Sequence, residues 1–130
     1  MKSPAGLEPR RSALTGRHSP PLNHPSVAII VPIFNEIAHI DRLAVELAAQ
    51  DYAGPLEIHL VDGGSNDGTR DKLRLIASAD PRFRVLDNPR RLPAAALNIA
   101  IAASQSDIVA RLDAHARYAT DNIRRAVETL

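Results

Sequence analysis

The sequence lacks cysteine and tryptophan, and its aromatic residues are limited to two Phe and two Tyr. The absence of cysteine excludes disulfides and thiolate metal sites. With few aromatic side chains and a formal net charge of +1, the chain has neither the stacking platforms nor the basic surface of a nucleic-acid-binding protein. No apolar run approaches the roughly 20 residues that cross a bilayer, and the N-terminus has no apolar signal-peptide core. We therefore expect a cytoplasmic domain without a nucleic-acid partner.

The first 25 residues differ in composition from the rest of the chain. They contain five of the ten prolines, and four basic residues against a single acidic one. Such a segment cannot bury enough apolar surface to order itself. We expect a disordered, mildly basic leader over residues 1–25 and one domain over residues 26–130.

From residue 26 onward, β-branched runs alternate with segments whose apolar residues recur at helical spacing. The predicted elements, beginning with a strand, alternate in the order 26–34, 35–50, 56–62, 70–79, 82–88, 94–104, 107–113 and 120–130. Asn35 and Thr120 are the expected N-caps of the first and last helices. Such alternation implies right-handed crossovers. The predicted fold class is therefore α/β, a mainly parallel sheet with helices on both faces.

Polar side chains follow every predicted strand at the point where it ends. They are Asn35 and Glu36, Asp62, Asn88 with Arg90 and Arg91, and Asp113 with His115. Ligands of an open α/β sheet bind beyond these carboxyl ends. One acid at such a position is more often a turn former than a ligand-binding group. Four polar strand ends together favour a binding site.

The predicted site lacks the glycine-rich loops of the common nucleotide folds. No G-x-G-x-x-G follows the first strand and no G-x-x-x-x-G-K-[ST] occurs, which argues against a dinucleotide fold and excludes a P-loop. A bound phosphate then needs another source of positive charge, and a divalent ion held by Asp113 and His115 would supply it to a diphosphate. The alternative is a polar turn in which His115 packs against Tyr118.

Three ordered motifs carry a family resemblance that runs from about Val27 to the C-terminus. They are VPIFNE, VDGGSNDGT and AAALNIAIAASQSDIVARLDAH. They resemble the P-x-[YF]-N-E segment, the V-D-D-G-S-x-D-G-T loop and the helix and strand before the D-x-D motif of inverting family 2 glycosyltransferases. In this chain Gly63 replaces the second Asp of the loop. The segments DNPRRLPAAALN and RLDAHARY are most similar to members that build bacterial exopolysaccharides of the succinoglycan type.

The resemblance implies a Rossmann-like nucleotide-sugar-binding half of a GT-A fold, with roles for matching positions. Glu36 would lie near the ribose, and Asp62 would accept a hydrogen bond from the base, typically uracil. An ionised carboxylate only accepts hydrogen bonds, so it suits an imide N–H or a ribose hydroxyl. The nucleotide-sugar-binding residues expected on this basis are Pro32, Phe34, Asn35, Glu36, Asp62, Arg91 and Asp113.

The resemblance also implies the chemistry. Asp113 would lie by the ribose and the metal, and His115 occupies the place of the second acid of D-x-D, normally a metal ligand. Imidazole in that place favours Mn²⁺ over Mg²⁺. The metal would stabilise the leaving diphosphate while a general base deprotonates the acceptor hydroxyl, with inversion at the anomeric carbon. We expect that base beyond Leu130, because the family's base follows the D-x-D motif.

The partners expected from the resemblance are a UDP-hexose donor and a carbohydrate or lipid-linked acceptor, with peripheral association at the inner face of the membrane. Two other hypotheses stay open. One is a non-catalytic nucleotide-binding module or truncated remnant without the general base. The other is a nucleotidyltransferase, which would want a glycine-rich basic loop after the first strand. An uncovered sheet edge predicts either a missing C-terminal half as partner or self-association.

Overall fold

Strands and helices alternate along the chain in the predicted order. The computed structural model describes residues 8–9 and 24–130. The strands are β1 (Glu8–Pro9), β2 (Val27–Ile33), β3 (Leu56–Asp62), β4 (Phe83–Asp87) and β5 (Ile108–Arg111). The helices are α1 (Ile37–Ala48), α2 (Thr69–Ala79), α3 (Pro93–Ala103) and α4 (Asn122–Glu128).

The five strands form one sheet in the order β1-β5-β2-β3-β4. The pairs β5–β2, β2–β3 and β3–β4 are parallel, and only β1 runs antiparallel to its neighbour. The chain therefore builds outward from β2 through β3 to β4 and then returns to the other side of β2 with β5. This reversal makes the carboxyl ends of β2 and β5 the switch point where ligands of such sheets bind.

Helices cover both faces of the sheet, as predicted. On one face, alternate residues of β2 and β3 pack with buried residues of α1, α2 and α4 in the larger apolar cluster. On the other face, Ile30, Val61 and Val109 pack against two alanines of α3. The small side chains of α3 let that helix lie close to the sheet. Both faces of β2 are therefore buried, which explains its unbroken apolar sequence.

Two expected helix caps are wrong. Asn35 has a left-handed φ of 51°, and α1 begins after Glu36 instead. The reason is that the Asn35 side chain is bonded to the neighbouring loop, where its Oδ1 accepts from the N–H of Asn66. At the last helix, Asn122 N–H donates to the carbonyl of Ala119, so a turn precedes α4 and Thr120 lies outside it.

Two residues of the segment expected to be disordered form a short strand. Glu8–Pro9 pairs antiparallel with Ile108 and Val109 of β5. Of the remaining predicted leader, only residues 24 and 25 belong to the described residues. Within the described part of the chain, no helix combines the length and the apolar character that a membrane crossing requires.

Candidate functional site

The loops that follow β2 and β5 meet at the switch point of the sheet. Leu112, directly after β5, donates its N–H to the carbonyl of Ile30 in β2 at 2.9 Å, which fixes the two strand ends side by side. Residues 113–118 then form a compact polar loop. Asp113 and Tyr118 close it, because the Tyr118 hydroxyl accepts from Asp113 N–H at 2.7 Å and donates to Asp113 O at 2.9 Å.

The carboxylate of Asp113 stabilises the turn within this loop. Its Oδ1 accepts the N–H of His115 at 2.8 Å, as short polar side chains often do two residues ahead. Burial raises the pKa of the Tyr118 hydroxyl that closes the loop, so this group stays protonated and able to donate at neutral pH.

Helix α1 holds the 113–118 loop from the side. Glu46 accepts hydrogen bonds from Arg117 Nε at 2.7 Å, Tyr118 N–H at 2.8 Å and Arg42 Nη1 at 3.0 Å. The bond from Arg117 and that from the Tyr118 backbone lower the pKa of Glu46. Arg42 donates in turn to the loop carbonyls of Ala114 (3.1 Å) and Ala116 (2.8 Å). Glu46 is not among the site residues that the sequence predicts, whereas the structure shows that it holds the loop of the candidate site in place.

A three-residue cluster joins the start of α1 to the same loop. His115 Nε2 lies 2.8 Å from Glu36 Oε2, and the ring centroids of His115 and His39 are 4.8 Å apart. The ligand atoms of Glu36, His39 and His115 all lie within 4.8 Å of one another. The carboxylate of Asp113, expected to share a metal with His115, is not a member of this cluster. The ring of His115 contacts His39, whereas the alternative hypothesis placed it against Tyr118.

Sequence reasoning missed His39, although a signal for it was present. Glu36, the N-cap of α1, and His39 lie three positions apart in the sequence. That spacing brings two side chains to the same side of a helix. The missing information was the partner, because only the folded chain shows that His115 of a distant loop lies against this face.

The expected base-binding residue Asp62 is buried and fully engaged within its own loop. Its side chain has 0% exposure. Its carboxylate accepts from Gly64 N–H at 3.2 Å, Ser65 N–H at 3.1 Å, the Ser65 hydroxyl at 2.5 Å and Arg70 Nη1 at 3.1 Å. Arg70 also pairs with Asp87 at the end of β4. Asp62, at the end of β3, therefore holds the β3–α2 loop in its conformation.

The β3–α2 loop is bonded to the loop that follows β2. Asn35 N–H donates to Ser65 Oγ at 2.8 Å, and Asn66 N–H donates to Asn35 Oδ1 at 2.8 Å. Glu36 N–H donates to Thr69 Oγ1 at 3.0 Å. These three bonds place Asn35 and Glu36 beside the Asp62 loop and connect two of the three motif segments.

Arg91 and Phe34 form a stacked pair above the sheet edge. The guanidinium carbon of Arg91 lies 4.0 Å from the ring centroid of Phe34, and Arg91 Nε donates to Gly63 O at 3.1 Å. A Cβ on Gly63 would come within 3.0 Å of Arg91 Cγ, so glycine in this place gives the arginine room. Pro32 lies two residues before Phe34, in β2, and pairs with Val61 of β3.

A cavity of about 320 Å³ opens between the ends of β3 and β4. Its lining includes Asp62, Arg70 and Asn88. Asn88 is buried; its Nδ2 donates to Leu92 O at 2.9 Å, whereas its Oδ1 has no hydrogen-bond partner. A buried acceptor without a partner is costly unless a ligand or water satisfies it. Asn88 therefore carries a buried acceptor without a partner beside this cavity.

The family of the chain follows from its match to known proteins. Residues 28–130 match the model of glycosyl transferase family 2. The chain belongs to glycosyltransferase family 2. The matched range covers all three motifs and every expected site residue, so the resemblance predicted from the motifs is confirmed.

Curated relatives and a solved structure place the chain more closely within glycosyltransferase family 2. It is 40% identical over 109 residues to the succinoglycan biosynthesis protein ExoA of Rhizobium meliloti, covering 82% of this chain and 33% of that protein. It is 36% identical over 104 residues to an N-acetylglucosaminyltransferase of a Bradyrhizobium species, covering 78% of this chain and 68% of that protein. A mannosyltransferase of Pyrobaculum calidifontis, solved with GDP-Man and Mn²⁺, superposes on this chain with a TM-score of 0.73 at 35% sequence identity. The superposition covers 81% of this chain and 32% of the mannosyltransferase.

These family 2 comparisons agree with the sheet described above and confirm the expected Rossmann-like, GT-A type of fold. They also show that the chain spans about a third of the length of the ExoA relative and of the mannosyltransferase. The similarity to relatives that build exopolysaccharide, predicted from two short segments, is confirmed by the ExoA match.

Proposed function

We propose that this family 2 domain binds a nucleotide-diphospho-sugar, with a UDP-hexose as first candidate, together with a divalent metal. The sugar would pass to a polysaccharide or lipid-linked acceptor with inversion. The observation that carries the proposal is the meeting of the three motif loops at the carboxyl ends of β2, β3 and β5. Loops at that edge are where parallel α/β sheets take their ligands. The succinoglycan function of the ExoA relative supports the acceptor class.

The nucleoside would occupy the edge between Phe34 and the cavity beside Asp62. The Phe34–Arg91 pair supplies an aromatic face and a cation, both of which favour a planar base and its phosphates. Because Asp62 already accepts four hydrogen bonds, a base N–H would replace one of its present donors, Ser65 Oγ or Arg70. Asn88 Oδ1, buried beside the cavity without a partner, would serve as a second acceptor only after its side chain turns toward the ligand.

Uracil and guanine both present an N–H that a carboxylate can accept from. The resemblance of the motifs favours uracil, and the N-acetylglucosaminyltransferase name of the Bradyrhizobium relative is compatible with it. The P. calidifontis mannosyltransferase was solved with a guanine nucleotide. We propose uracil for this chain, and the donor comparison below decides between the two bases.

The metal proposed for the diphosphate would be held by Asp113 and His115, with Arg91 adding positive charge. Both ligands are exposed on one loop, and the pair offers an oxygen and an imidazole nitrogen. This mixed donor set suits Mn²⁺ better than Mg²⁺, which prefers oxygen ligands alone. When bound, a divalent ion supplies charge neutralisation to the leaving diphosphate. Glu46 and Arg42 serve this site by holding the loop that carries both ligands.

A second candidate function is nucleotide binding without sugar transfer. The acids that follow the Asp113 loop, Asp121 and Glu128, lie beside arginines of the same helix: Arg124 is 3.6 Å from Glu128 and Arg125 is 3.8 Å from Asp121. Acids committed to such surface pairs are poor general bases, so nothing in α4 assigns the group that deprotonates the acceptor.

We also propose peripheral attachment of the domain to the membrane face that presents a lipid-linked acceptor.

The donor proposal is tested by thermal shift of the chain with Mn²⁺ and a matched set of ligands: UDP, UDP-glucose, UDP-N-acetylglucosamine, GDP and GDP-mannose. A ligand that binds only the folded state raises the melting temperature by an amount that grows with the logarithm of its concentration relative to Kd. We expect the three uridine ligands to raise it and the two guanosine ligands to leave it unchanged. The reverse pattern would overturn the uracil assignment, and no shift with any ligand would overturn donor binding.

A further inference from the structure

The Glu36–His39–His115 cluster has the composition and the geometry of a transition-metal site. It brings together two imidazoles and one carboxylate, and all three ligand atoms lie within 4.8 Å of one another. The Glu36 and His115 side chains are 13% and 62% exposed, so an ion can reach them from solvent. Ligands of a bound transition metal lie about 2.0–2.2 Å from the ion, so an ion enters the cluster once the 2.8 Å contact between His115 Nε2 and Glu36 Oε2 opens slightly.

Two of the three ligands lie at the start of α1, and the third, His115, lies on a loop that can adjust its position. Glu36 is anchored by its N–H bond to Thr69 Oγ1, and His39 follows it on the first turn of α1. His115 is the adjustable partner, since it lies on an exposed loop and already touches both other residues. The loop itself is fixed to α1 through Glu46, which lies seven residues beyond His39. The three ligands are therefore preorganised by contacts that do not involve a metal.

The donor atoms indicate which ions would bind. Imidazole nitrogen suits Zn²⁺, Co²⁺ and Ni²⁺, and the affinity of a nitrogen-containing site for divalent ions rises from Mn²⁺ through Co²⁺ to Ni²⁺, with Zn²⁺ also strong. Mg²⁺, which demands oxygen ligands, has one suitable protein ligand here. The same set leaves open positions for water or an anion.

We propose that Glu36, His39 and His115 form a divalent transition-metal site that is filled in the absence of nucleotide. It differs from the proposed diphosphate metal site in using His39 and Glu36 in place of Asp113. A bound ion fastens the 113–118 loop to the start of α1. A further consequence rests on the proposed function: Glu36 and His115 are also expected to face the donor, so Zn²⁺ in this site competes with nucleotide.

The metal site is tested by titrating Co²⁺ and Zn²⁺ into the full chain without nucleotide, by visible absorption and calorimetry respectively. We expect one ion per chain, with Zn²⁺ and Co²⁺ binding at least about tenfold more tightly than Mn²⁺, and no response to Mg²⁺. His39→Gln should weaken Zn²⁺ binding by about tenfold or more. His24→Gln is the matched control, because His24 lies beside Tyr52 at another place in the fold and its loss should leave the titration unchanged.

A second variant guards against a folding artefact. Glu36→Gln keeps the shape of the side chain and removes its charge, so it should weaken Zn²⁺ binding while circular dichroism and the melting temperature stay close to the parent values. If either His39→Gln or Glu36→Gln is folded and binds Zn²⁺ as tightly as the parent, the proposed site is overturned. Equal loss in His24→Gln would do the same.

The competition with nucleotide is read in a separate titration. With Zn²⁺ present, UDP binding measured with Mn²⁺ should weaken several-fold in the parent and not in His39→Gln. If UDP does not bind under any condition, the proposed function fails while the Zn²⁺ titration still decides the metal site. If UDP binds equally with and without Zn²⁺ while Zn²⁺ occupies the site, the competition is overturned.

Discussion

The carboxylates around this site differ in what already occupies them, and this decides what each can do. Asp62 is buried and accepts four hydrogen bonds, so it organises a loop before it meets any ligand. Asp113 uses one oxygen in a turn and lies exposed to solvent. Glu46 binds two arginines and a backbone N–H. Glu46 is therefore a positioning group, Asp62 can bind a base only by exchanging one of its present donors, and Asp113 is available for metal or ribose.

Replacing Glu46 by Gln should loosen the 113–118 loop without unfolding the chain. The amide loses the charge that holds Arg117 and Arg42 together, and hydrogen bonds to charged groups are the stronger ones. We expect Mn²⁺-dependent UDP binding, measured by calorimetry, to weaken about tenfold. Asp41→Asn is the matched control, since Asp41 lies on the same helix and pairs with Lys72. Equal affinities of the two variants would contradict the positioning role.

Gly63 offers a second test at the scale of one residue. Gly63→Asp restores the acid that the family motif has at this place, but its Cβ falls 3.0 Å from Arg91 Cγ. We expect the new side chain to displace Arg91 from Phe34 and to lower UDP affinity roughly fivefold, in line with the loss of a cation–π contact. Gly63→Ala separates the steric part of this effect from the charge. Tighter UDP binding by Gly63→Asp would show that Arg91 blocks the nucleotide.

At the scale of elements, α1 serves the core and the site with different faces. Ile40, Leu43 and Leu47 are buried against the sheet, whereas Arg42 and Glu46 contact the loop after β5. Both sets recur at three- and four-residue spacing, which is why one helix can present two faces. The apolar set was predictable from periodicity, since burial of an amphipathic face needs no knowledge of the partner. The polar set was not, because its partners lie more than 60 residues away in sequence.

In the loops too, some features were predictable from local sequence and others depended on distant partners. The alternation of strands and helices and the three motifs predicted the sheet and the edge where the polar residues gather. Asn35 was expected to cap α1, as its sequence position favours, but its bonds to the loop carrying Asn66 displaced it. Arg91 was expected among the nucleotide-sugar-binding residues, but its stacking on Phe34 was not foreseen. In each case a contact between loops far apart in sequence decided the outcome, and local sequence patterns carry no record of such contacts.

Asp67 links the starts of two helices and makes them sensitive to acid. It accepts from the hydroxyl and N–H of Thr69 at the start of α2, and from Ile37 N–H at the start of α1. The Thr69 hydroxyl bond lowers the pKa of Asp67 below its ordinary value of 3.8. Because the folded-state pKa is the lower one, the stabilisation is present above pH 3.8 and is lost as the pH falls through the folded value.

We therefore expect Asp67→Asn to lower the melting temperature at pH 6 and to have a smaller effect at pH 3, because the stabilisation from the ionised carboxylate declines as the pH falls below 3.8. Thermal unfolding followed by circular dichroism at both values measures this. Asp71→Asn, at an exposed position in the first turn of α2, is the matched control. An Asp67→Asn effect that is the same at both pH values would contradict the capping role.

At the scale of the whole molecule, the sheet has an edge at β4. Among the described residues β4 pairs only with β3, and an unpaired strand edge is a template for pairing with another chain. We expect the isolated chain to self-associate as its concentration rises. Light scattering over a concentration series measures this, and a constant monomer mass at the highest concentration would contradict it.

The central claim is that the motif loops form a metal-dependent nucleotide site, and calorimetric titration of UDP into the chain tests it most directly. The titration is run with Mn²⁺ and with EDTA, beside Asp113→Ala and His115→Ala. We predict binding that requires Mn²⁺ and is lost in both variants. Loss in Asp113→Ala alone would remove His115 from the diphosphate metal. A folded chain that takes up no UDP with Mn²⁺ present would contradict the claim.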